Sequence, residues 1–111
     1  MVSYMPKQGD IIKIDFNPTK GREQKGTRPA IVISNESYYG KTGLLIICPI
    51  SNTKNNFPLH LELTQGLKTT GFVLTQHVRT IDPEARPLEF IESAPEETVN
   101  QILNFLELFF K

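Results

Sequence analysis

The chain has 111 residues, 39% of them hydrophobic and 22% charged, and its basic and acidic side chains balance to a net charge of zero. This composition is typical of one globular domain over residues 1–111 and excludes an intrinsically disordered chain. The single cysteine, Cys48, excludes an intrachain disulfide and a multi-cysteine metal site. No apolar run approaches the ~20 residues of a membrane-spanning helix, and the N-terminus lacks a secretory signal, so we expect a cytoplasmic protein.

The charges are unevenly distributed although they sum to zero. Residues 1–30 carry a net charge of +3, residues 31–82 carry +1, and residues 83–111 carry −4. A basic N-terminal part and an acidic C-terminal part can direct a polyanion to one face of a neutral protein. An evenly solvated surface divided by chance gives the same pattern.

Short β-type segments follow one another from residue 10 onwards. Ile12, Ile14 and Phe16 alternate with polar residues, which predicts a half-buried first strand. Further strands are predicted over residues 29–34, 43–51, 58–64 and 70–81, with a short sixth over 88–91. The single cysteine falls in the third strand and is expected to be a buried structural thiol.

The C-terminal segment changes to a helical period. Residues 93–96, Ser-Ala-Pro-Glu, match a capping box with proline in the first turn. The apolar residues at helical spacing are Val99, Ile102, Leu103, Leu106 and Phe110. Further apolar residues (Phe105, Leu108 and Phe109) widen this stripe, which serves either core packing or a face covered by a partner.

Many short strands followed by one helix predict a mainly β (α+β) fold. We expect a strongly bent antiparallel sheet or a small barrel with a C-terminal helix. The βαβ alternation of a Rossmann unit is absent from the sequence, as are the glycine-rich loops that bind nucleotide phosphates.

An unusually long loop joins the first two predicted strands. It spans about eleven residues, 17–27, where hairpin loops usually have two to five. Arg28 lies where this loop becomes a strand, and Pro29 restricts the backbone directly after it. A guanidinium held at such a junction is well suited to bind a phosphate through two parallel hydrogen bonds. Considered alone, an arginine at a strand edge is more often a surface salt-bridge partner.

The segment from Gly9 to Ser34, GDIIKIDFNPTKGREQKGTRPAIVIS, resembles the N-terminal signature of the MazF/PemK (Kid-like) toxins of type II toxin–antitoxin systems. Its most specific part is the EQ-x-G-x-RPA core at residues 23–30. The resemblance continues through the strand ending in PIS at Ser51, through TTG-x-V at residues 69–73, and through RTID at residues 79–82. It covers nearly the full length of the chain.

The resemblance implies an SH3-like small β-barrel of the CcdB/MazF type, usually a homodimer. It implies a sequence-specific endoribonuclease that cleaves single-stranded mRNA without metal or cofactor and so inhibits translation and growth. It also implies a cognate antitoxin whose acidic, disordered tail occupies the basic groove. Contact with DNA is expected only indirectly, through an antitoxin complex, and no membrane partner is expected.

The same resemblance assigns three catalytic positions. Arg28 matches the motif arginine and would stabilise the charge of the phosphorane. Ser51 matches the position where relatives carry a threonine or serine hydroxyl, which would bind the scissile phosphate. Glu23 matches a loop glutamate, which is either the general base or an anchor of the loop through Arg22 or Lys25.

The chain departs from the family pattern at two positions where some relatives carry a candidate base. Gln76 stands at a position that is acidic in some relatives, and Thr27 stands where some have histidine. The neighbouring His77 belongs to the residue type most often used for acid–base work. Strand alternation would point Gln76 and His77 to opposite faces, which favours a packed or surface role for the histidine.

RNA contacts are expected from the long loop, from the turn after Ser51 and from the fifth strand. The predicted RNA-binding residues are Lys20, Gly21, Lys25, Thr27, Asn52, Thr53, Lys54, Gln76, His77 and Arg79. Residues 52–57 would also form an ordinary asparagine-rich turn.

Two other classes of function remain open. A gyrase poison of the CcdB type resembles this fold, but such proteins act through a tryptophan-containing C-terminus, and this chain has no tryptophan and ends in LELFFK. A noncatalytic SH3-like module that binds RNA or protein is the other alternative.

Overall fold

The computed structural model describes residues 4–16, 27–52, 60–63 and 66–110. Within these residues the chain forms seven strands, two α-helices and one 3-10 turn. They are β1 (Asp10–Asp15), β2 (Thr27–Val32), α1 (Glu36–Thr42), β3 (Leu45–Ser51), β4 (His60–Glu62), β5 (Phe72–Leu74), the 3-10 turn (Thr75–His77), β6 (Arg79–Ile81), β7 (Leu88–Ser93) and α2 (Glu96–Leu108).

The strands form one antiparallel sheet in the order β4-β5-β3-β2-β1-β7, and β6 pairs with β3 beside β5. The predicted mainly antiparallel fold with a C-terminal helix is confirmed. The sheet is open rather than a closed barrel, because no pairing within the described residues joins the outer strands β4 and β7.

The sheet buries apolar side chains on both faces. On one face, here called the helix face, the strands pack against Ile102 and Leu106 of α2. Its strand residues include Ile11, Ile31, Cys48, Ile50 and Val73. The other face, here called the open face, carries a second cluster that includes Ile12, Ile14, Ala30, Val32, Leu45 and Ile47. The two clusters use alternate residues of the same strands, as the two-residue period of a strand requires.

Cys48 is fully buried on the helix face, as predicted for a structural thiol. Burial raises the pKa of its thiol to about 12. A thiol with such a pKa is almost entirely protonated at neutral pH and is therefore a poor nucleophile.

The fifth predicted strand, residues 70–81, is wrong as one continuous element. It is divided into β5 and β6 by the 3-10 turn. Both strands run along β3, but Ile50 pairs with Val73 whereas Ile47 pairs with Arg79. The step from Ile47 to Ile50 is three residues, whereas the step between their partners Arg79 and Val73 is six residues. The 3-10 turn accommodates the extra residues.

Pro49 of β3 explains where this interruption falls. The amide of Ile33 donates to the carbonyl of Ile46, 2.9 Å away, so the backbone groups of Ile46 are directed towards β2. Successive residues of an antiparallel strand direct these groups to opposite neighbours, so those of Pro49 are directed towards β5 and β6. Proline has no N–H to donate there, so the ladder is interrupted at Pro49 and resumes with β5 at Ile50.

The predicted capping box at residues 93–96 is also wrong. Ser93 is the last residue of β7, and its hydroxyl donates to Oδ1 of Asp10 at 3.2 Å. Asp10 is buried and also accepts hydrogen bonds from the Tyr4 hydroxyl and the Lys7 amide. The serine is thus engaged by a carboxylate from β1, and α2 begins after Pro95 without a side-chain cap.

Helix α1 was not predicted from the sequence. Its N-cap is Asn35, whose side chain accepts a hydrogen bond from the Tyr38 amide at 2.9 Å. Its C-cap is Gly43, with φ of 74°, which donates to the carbonyl of Tyr39 at 2.7 Å. Asparagine at the start and glycine at the end are recognised helix signals. The helix is short and has no buried residue, so no apolar period reveals it.

We expect Ile102→Ala to lower the free energy of unfolding by about 2–5 kcal/mol, because it leaves a cavity between α2 and the sheet. Ile102 is fully buried, whereas Leu108 of the same helix is 67% exposed. Leu108→Ala is the control and should cost about 0.5 kcal/mol or less. Urea unfolding measures both, and equal losses would contradict the packing described for α2.

Candidate functional site

The register of β2 and β3, extended beyond its last paired residues, aligns Arg28 with Ser51. The paired residues of β2 and β3 are Ala30 with Pro49, Ile31 with Cys48, and Val32 with Ile47. Continuing this register by two residues places Arg28 opposite Ser51. Residues two apart share a face, so both lie on the open face with Ala30. Both side chains are partly exposed, which leaves them accessible to a ligand.

Strand β1 supports Arg28 from the other side. Arg28 pairs with Ile14, which is fully buried, and Pro29 pairs with Lys13. The arginine therefore lies between a buried apolar neighbour on β1 and a hydroxyl-bearing neighbour on β3. Its backbone is held in β2 by pairing with β1.

A second guanidinium belongs to the same face. Arg79 of β6 pairs with Ile47, a member of the open-face cluster. The central guanidinium carbon of Arg79 lies 5.2 Å from the centroid of the Phe16 ring. This cation–π contact orients the side chain while leaving the residue exposed. Two arginines on one face form a positively charged surface suited to a phosphodiester chain.

Gly71 determines how closely the neighbouring chain approaches Ser51. Its φ is +123°, and a Cβ added there would lie 2.6 Å from the carbonyl oxygen of Ser51. Only glycine fits this conformation and this spacing. The next residue, Phe72, pairs with Ser51 in the sheet. Gly71 therefore lets β5 pair with the end of β3 and fixes the backbone of the serine.

The residue after Ser51 is held by the same segment. The hydroxyl of Thr70 donates to Oδ1 of Asn52 at 3.1 Å, and both residues are exposed. Further back in this segment, the amides of Lys68 and Thr69 donate to the two carboxylate oxygens of Glu92, at 3.0 and 2.7 Å. The segment 68–71 thus connects β7 with the end of β3.

The carboxylate of Glu92 is stabilised by these donors. Burial raises its pKa, but the hydrogen bonds from the Lys68 and Thr69 amides, the Thr69 hydroxyl and the charge of Lys68 together lower it below its ordinary value. The charged form is therefore the one that holds the segment 68–71.

Gln76 and His77 occupy the 3-10 turn rather than a strand. The alternation argument that placed them on opposite faces is therefore wrong. The turn contacts β3, β4 and α2, and His77 is exposed. A role in RNA binding stays a prediction for both.

The remaining predicted residues are divided between described and undescribed parts of the chain. Thr27 is exposed on β2 beside Asp15, and strand alternation places it on the face opposite Arg28. The residues outside the described ranges are Lys20, Gly21, Glu23, Lys25, Thr53 and Lys54. Their assigned roles stay predictions.

Residues 4–16, 27–52, 60–63 and 66–110 contain no group of three or more histidine, cysteine, aspartate or glutamate side chains that could hold a metal ion. Within the same ranges, no helix has the length and apolar character needed to cross a membrane.

The sequence model of a protein family, the PemK-like, MazF-like toxins of type II toxin–antitoxin systems, matches residues 7–110 of the chain. The chain belongs to this toxin family. It is 41% identical over 87 residues to the endoribonuclease toxin MazF of Escherichia coli K12, and the match covers 78% of each chain. The family assignment made from the EQ-x-G-x-RPA core is therefore confirmed.

Solved structures agree with the fold. The crystal structure of MazF (Form-I) from Deinococcus radiodurans matches with a TM-score of 0.85 and 33% identity, covering 96% of this chain and 97% of that one. MazE-MazF (Form-II) from the same organism matches with a TM-score of 0.82 and 29% identity, covering 96% of each chain.

Sequence reasoning missed the contacts made by Thr70 and Glu92. The TTG motif marked residues 69–71 as part of the resemblance but gave no reason for their presence. The reason is spatial, since this segment touches Ser51 and Asn52 from nearly twenty residues away. No sequence signal relates Glu92 to this segment.

We expect Gly71→Ala to destabilise the protein, because alanine has both a strained backbone and a clash with the Ser51 carbonyl. The expected loss is about 1–3 kcal/mol in urea unfolding. Gly40→Ala is the matched control, since nothing lies within 4 Å of a Cβ at Gly40 and this residue is in α1. That variant should be neutral or stabilised by about 0.5–1 kcal/mol. Equal stability of the two variants would refute the close approach.

We expect Glu92→Gln to lower the melting temperature at pH 7. The folded pKa of Glu92 is depressed, so its carboxylate stabilises the fold above the unfolded-state pKa and loses this effect as pH falls through the folded pKa. The gap between wild type and variant should therefore close in acid. Glu89→Gln, at an exposed position of the same strand, controls for the loss of one charge. A gap that is constant from pH 7 to pH 2 would contradict this role.

Proposed function

We propose that this protein is a sequence-specific endoribonuclease that cleaves single-stranded mRNA and acts as the toxin of a type II toxin–antitoxin system. The observation that supports the proposal is the register of β2 and β3, which would bring Arg28 opposite Ser51 on the face that bears Arg79. The family match and the name of the Escherichia coli relative, an endoribonuclease toxin, support it.

The reaction uses the RNA's own 2′-hydroxyl as the nucleophile. Its oxygen bonds to the adjacent phosphorus, the bond from phosphorus to the 5′-oxygen breaks, and a 2′,3′-cyclic phosphate and a 5′-hydroxyl result. One base accepts the 2′-hydroxyl proton and one acid protonates the leaving oxygen. Since the nucleophile and leaving group belong to the substrate, the reaction is written without a metal.

Each site residue has a role in this scheme. Arg28 stabilises the negative charge of the phosphorane with two N–H donors. Ser51 donates a hydrogen bond to a nonbridging phosphate oxygen. We assign Glu23 as either the base or an anchor of the loop. Arginine is a poor proton donor because of its high pKa, so Arg28 is given the electrostatic role.

The RNA chain would extend along the exposed part of the open face, at the ends of β2 and β3 beside Arg79. Arg79 lies on this face beside Phe16 and would bind a neighbouring phosphate. Asn52 follows Ser51 directly and would contact the base next to the scissile phosphate. The lysines of the long loop and Lys54 would add further phosphate contacts.

We further propose two protein partners. A cognate antitoxin with an acidic tail would neutralise the arginines of the open face, and the fit to MazE-MazF from Deinococcus radiodurans supports such a partner. A second copy of this chain would form a homodimer, to which the exposed Leu108 and Phe110 of the C-terminal segment are available.

The decisive experiment incubates the purified protein with a long single-stranded RNA in EDTA and maps the ends. We expect discrete fragments with 2′,3′-cyclic phosphate and 5′-hydroxyl ends. Arg28→Ala should lower the cleavage rate by about 10²–10³-fold, the usual cost of removing one donor to a transition-state anion. Ser51→Ala should also slow cleavage without a change in the end groups.

Lys41→Ala is the control for lost positive charge. Lys41 is exposed in α1, at the end of β2 and β3 remote from Arg28, and this variant should cleave as wild type does. Circular dichroism shows whether each variant is folded. RNA that binds but stays intact would favour the noncatalytic binding module, and wild-type cleavage by Arg28→Ala would place the active site elsewhere.

A further inference from the structure

Segment 68–71 contacts the end of β3 at two successive residues. Gly71 lies against the carbonyl of Ser51, and Thr70 donates to the side chain of Asn52. The other end of the segment is attached to Glu92 by two amide donors. The exposed Asn52 is thereby connected, through Thr70 and the rest of the segment 68–71, to Glu92 of β7.

The bond from Thr70 determines which end of the Asn52 amide faces outwards. Oδ1 accepts the hydroxyl proton, so the amide oxygen is turned towards Thr70. The amide is planar, and Nδ2 with its two N–H donors is directed away from the segment. Asn52 is exposed and follows Ser51 in the chain. It therefore presents hydrogen-bond donors to solvent, one residue beyond Ser51 in the chain.

We infer that Thr70 is a positioning residue that sets the base specificity of cleavage through Asn52. The inference rests on the proposed endoribonuclease function. A donor-presenting amide favours base edges whose acceptors have no amino group beside them, O6 and N7 of guanine or O4 of uracil. An amide free to rotate can also present its oxygen, which lets it bind the amino groups of adenine and cytosine. The bond from Thr70 to Oδ1 favours the orientation in which the two N–H donors face outwards.

The test compares the cleavage sites of variants on RNA oligonucleotides randomised around the cut position. Thr70→Val keeps the shape of the side chain but removes the hydroxyl, so the Asn52 amide can turn. We expect cleavage next to adenine or cytosine to rise about fivefold or more relative to cleavage next to guanine or uracil, the effect of one hydrogen bond. Thr70→Ser restores the hydroxyl and should retain the wild-type preference.

Thr42→Val is the matched control. It removes a hydroxyl that donates to the backbone carbonyl of Tyr38 and accepts from the Leu44 amide, but this hydroxyl lies in α1, away from Asn52. Its cleavage sites should be those of wild type. Melting temperatures identify any loss of folding, which would lower cleavage at all sites together.

A double-mutant cycle attributes the effect to Asn52. Asn52→Asp keeps an acceptor for Thr70 but removes both donors, so the preference for guanine and uracil should be lost. Thr70→Val should then cause no further change in site choice when added to Asn52→Asp. An unchanged site preference in Thr70→Val, a uniform fall at all sites, or additive effects in the double variant would each overturn the inference.

These outcomes are separate from failure of the proposed function. If the wild-type protein cleaves no RNA, the endoribonuclease proposal fails before any variant is compared. If wild type cleaves and Arg28→Ala does not, the function stands, and the Thr70 variants then decide the role of this residue alone.

Discussion

The antiparallel register between β2 and β3 is the constraint on which the site depends. The sequence separation of Arg28 and Ser51 is more than twenty residues, yet continuing the ladder from Ala30 and Pro49 places them opposite each other on one face. A shift of one residue would turn one of these two side chains to the helix face. The buried residues of both faces oppose such a shift, since each strand contributes to two cores. The stability of the sheet and the geometry of the site therefore have the same origin.

The two helices pack against different faces of the sheet, and α1 contributes only the partly buried Tyr39 to the open face. Helix α2 covers the helix face, where Ile102 and Leu106 complete the core. The open face keeps its apolar cluster but leaves the ends of β2 and β3 exposed beside Arg79. Pro49 interrupts the pairing on the β5–β6 side of β3. Pairing with β5 then includes Ser51, and the close approach of Gly71 to the Ser51 carbonyl makes this possible. A rigid sheet thus carries the charged groups, and a separately anchored segment supports the residues beside them.

Local patterns in the sequence predict much of this fold but not its interruptions. Alternation in residues 10–16 and helical spacing from Val99 to Leu106 reflect burial and are visible in one dimension. The division of residues 70–81 depends on a proline in the partner strand, which no property of that segment reveals. The capping-box prediction failed similarly, because the hydroxyl of Ser93 is engaged by Asp10 from a distant strand. The candidate site shows the same limit. The position of Arg28 is predictable from its motif. Its alignment with Ser51 and the hydrogen bond from Thr70 to Asn52 depend on contacts between distant parts of the chain.

The central claim is that Arg28 and Ser51 act together on one phosphate. A double-mutant cycle on binding tests it most directly, with an RNA that carries a 2′-deoxynucleotide at the cut position so that no cleavage occurs. The account predicts that Ser51→Ala weakens binding strongly when Arg28 is present and only slightly when Arg28 is alanine, a coupling of about 1 kcal/mol or more. Strictly additive losses, or no loss from either substitution, would show that the two residues do not share a phosphate.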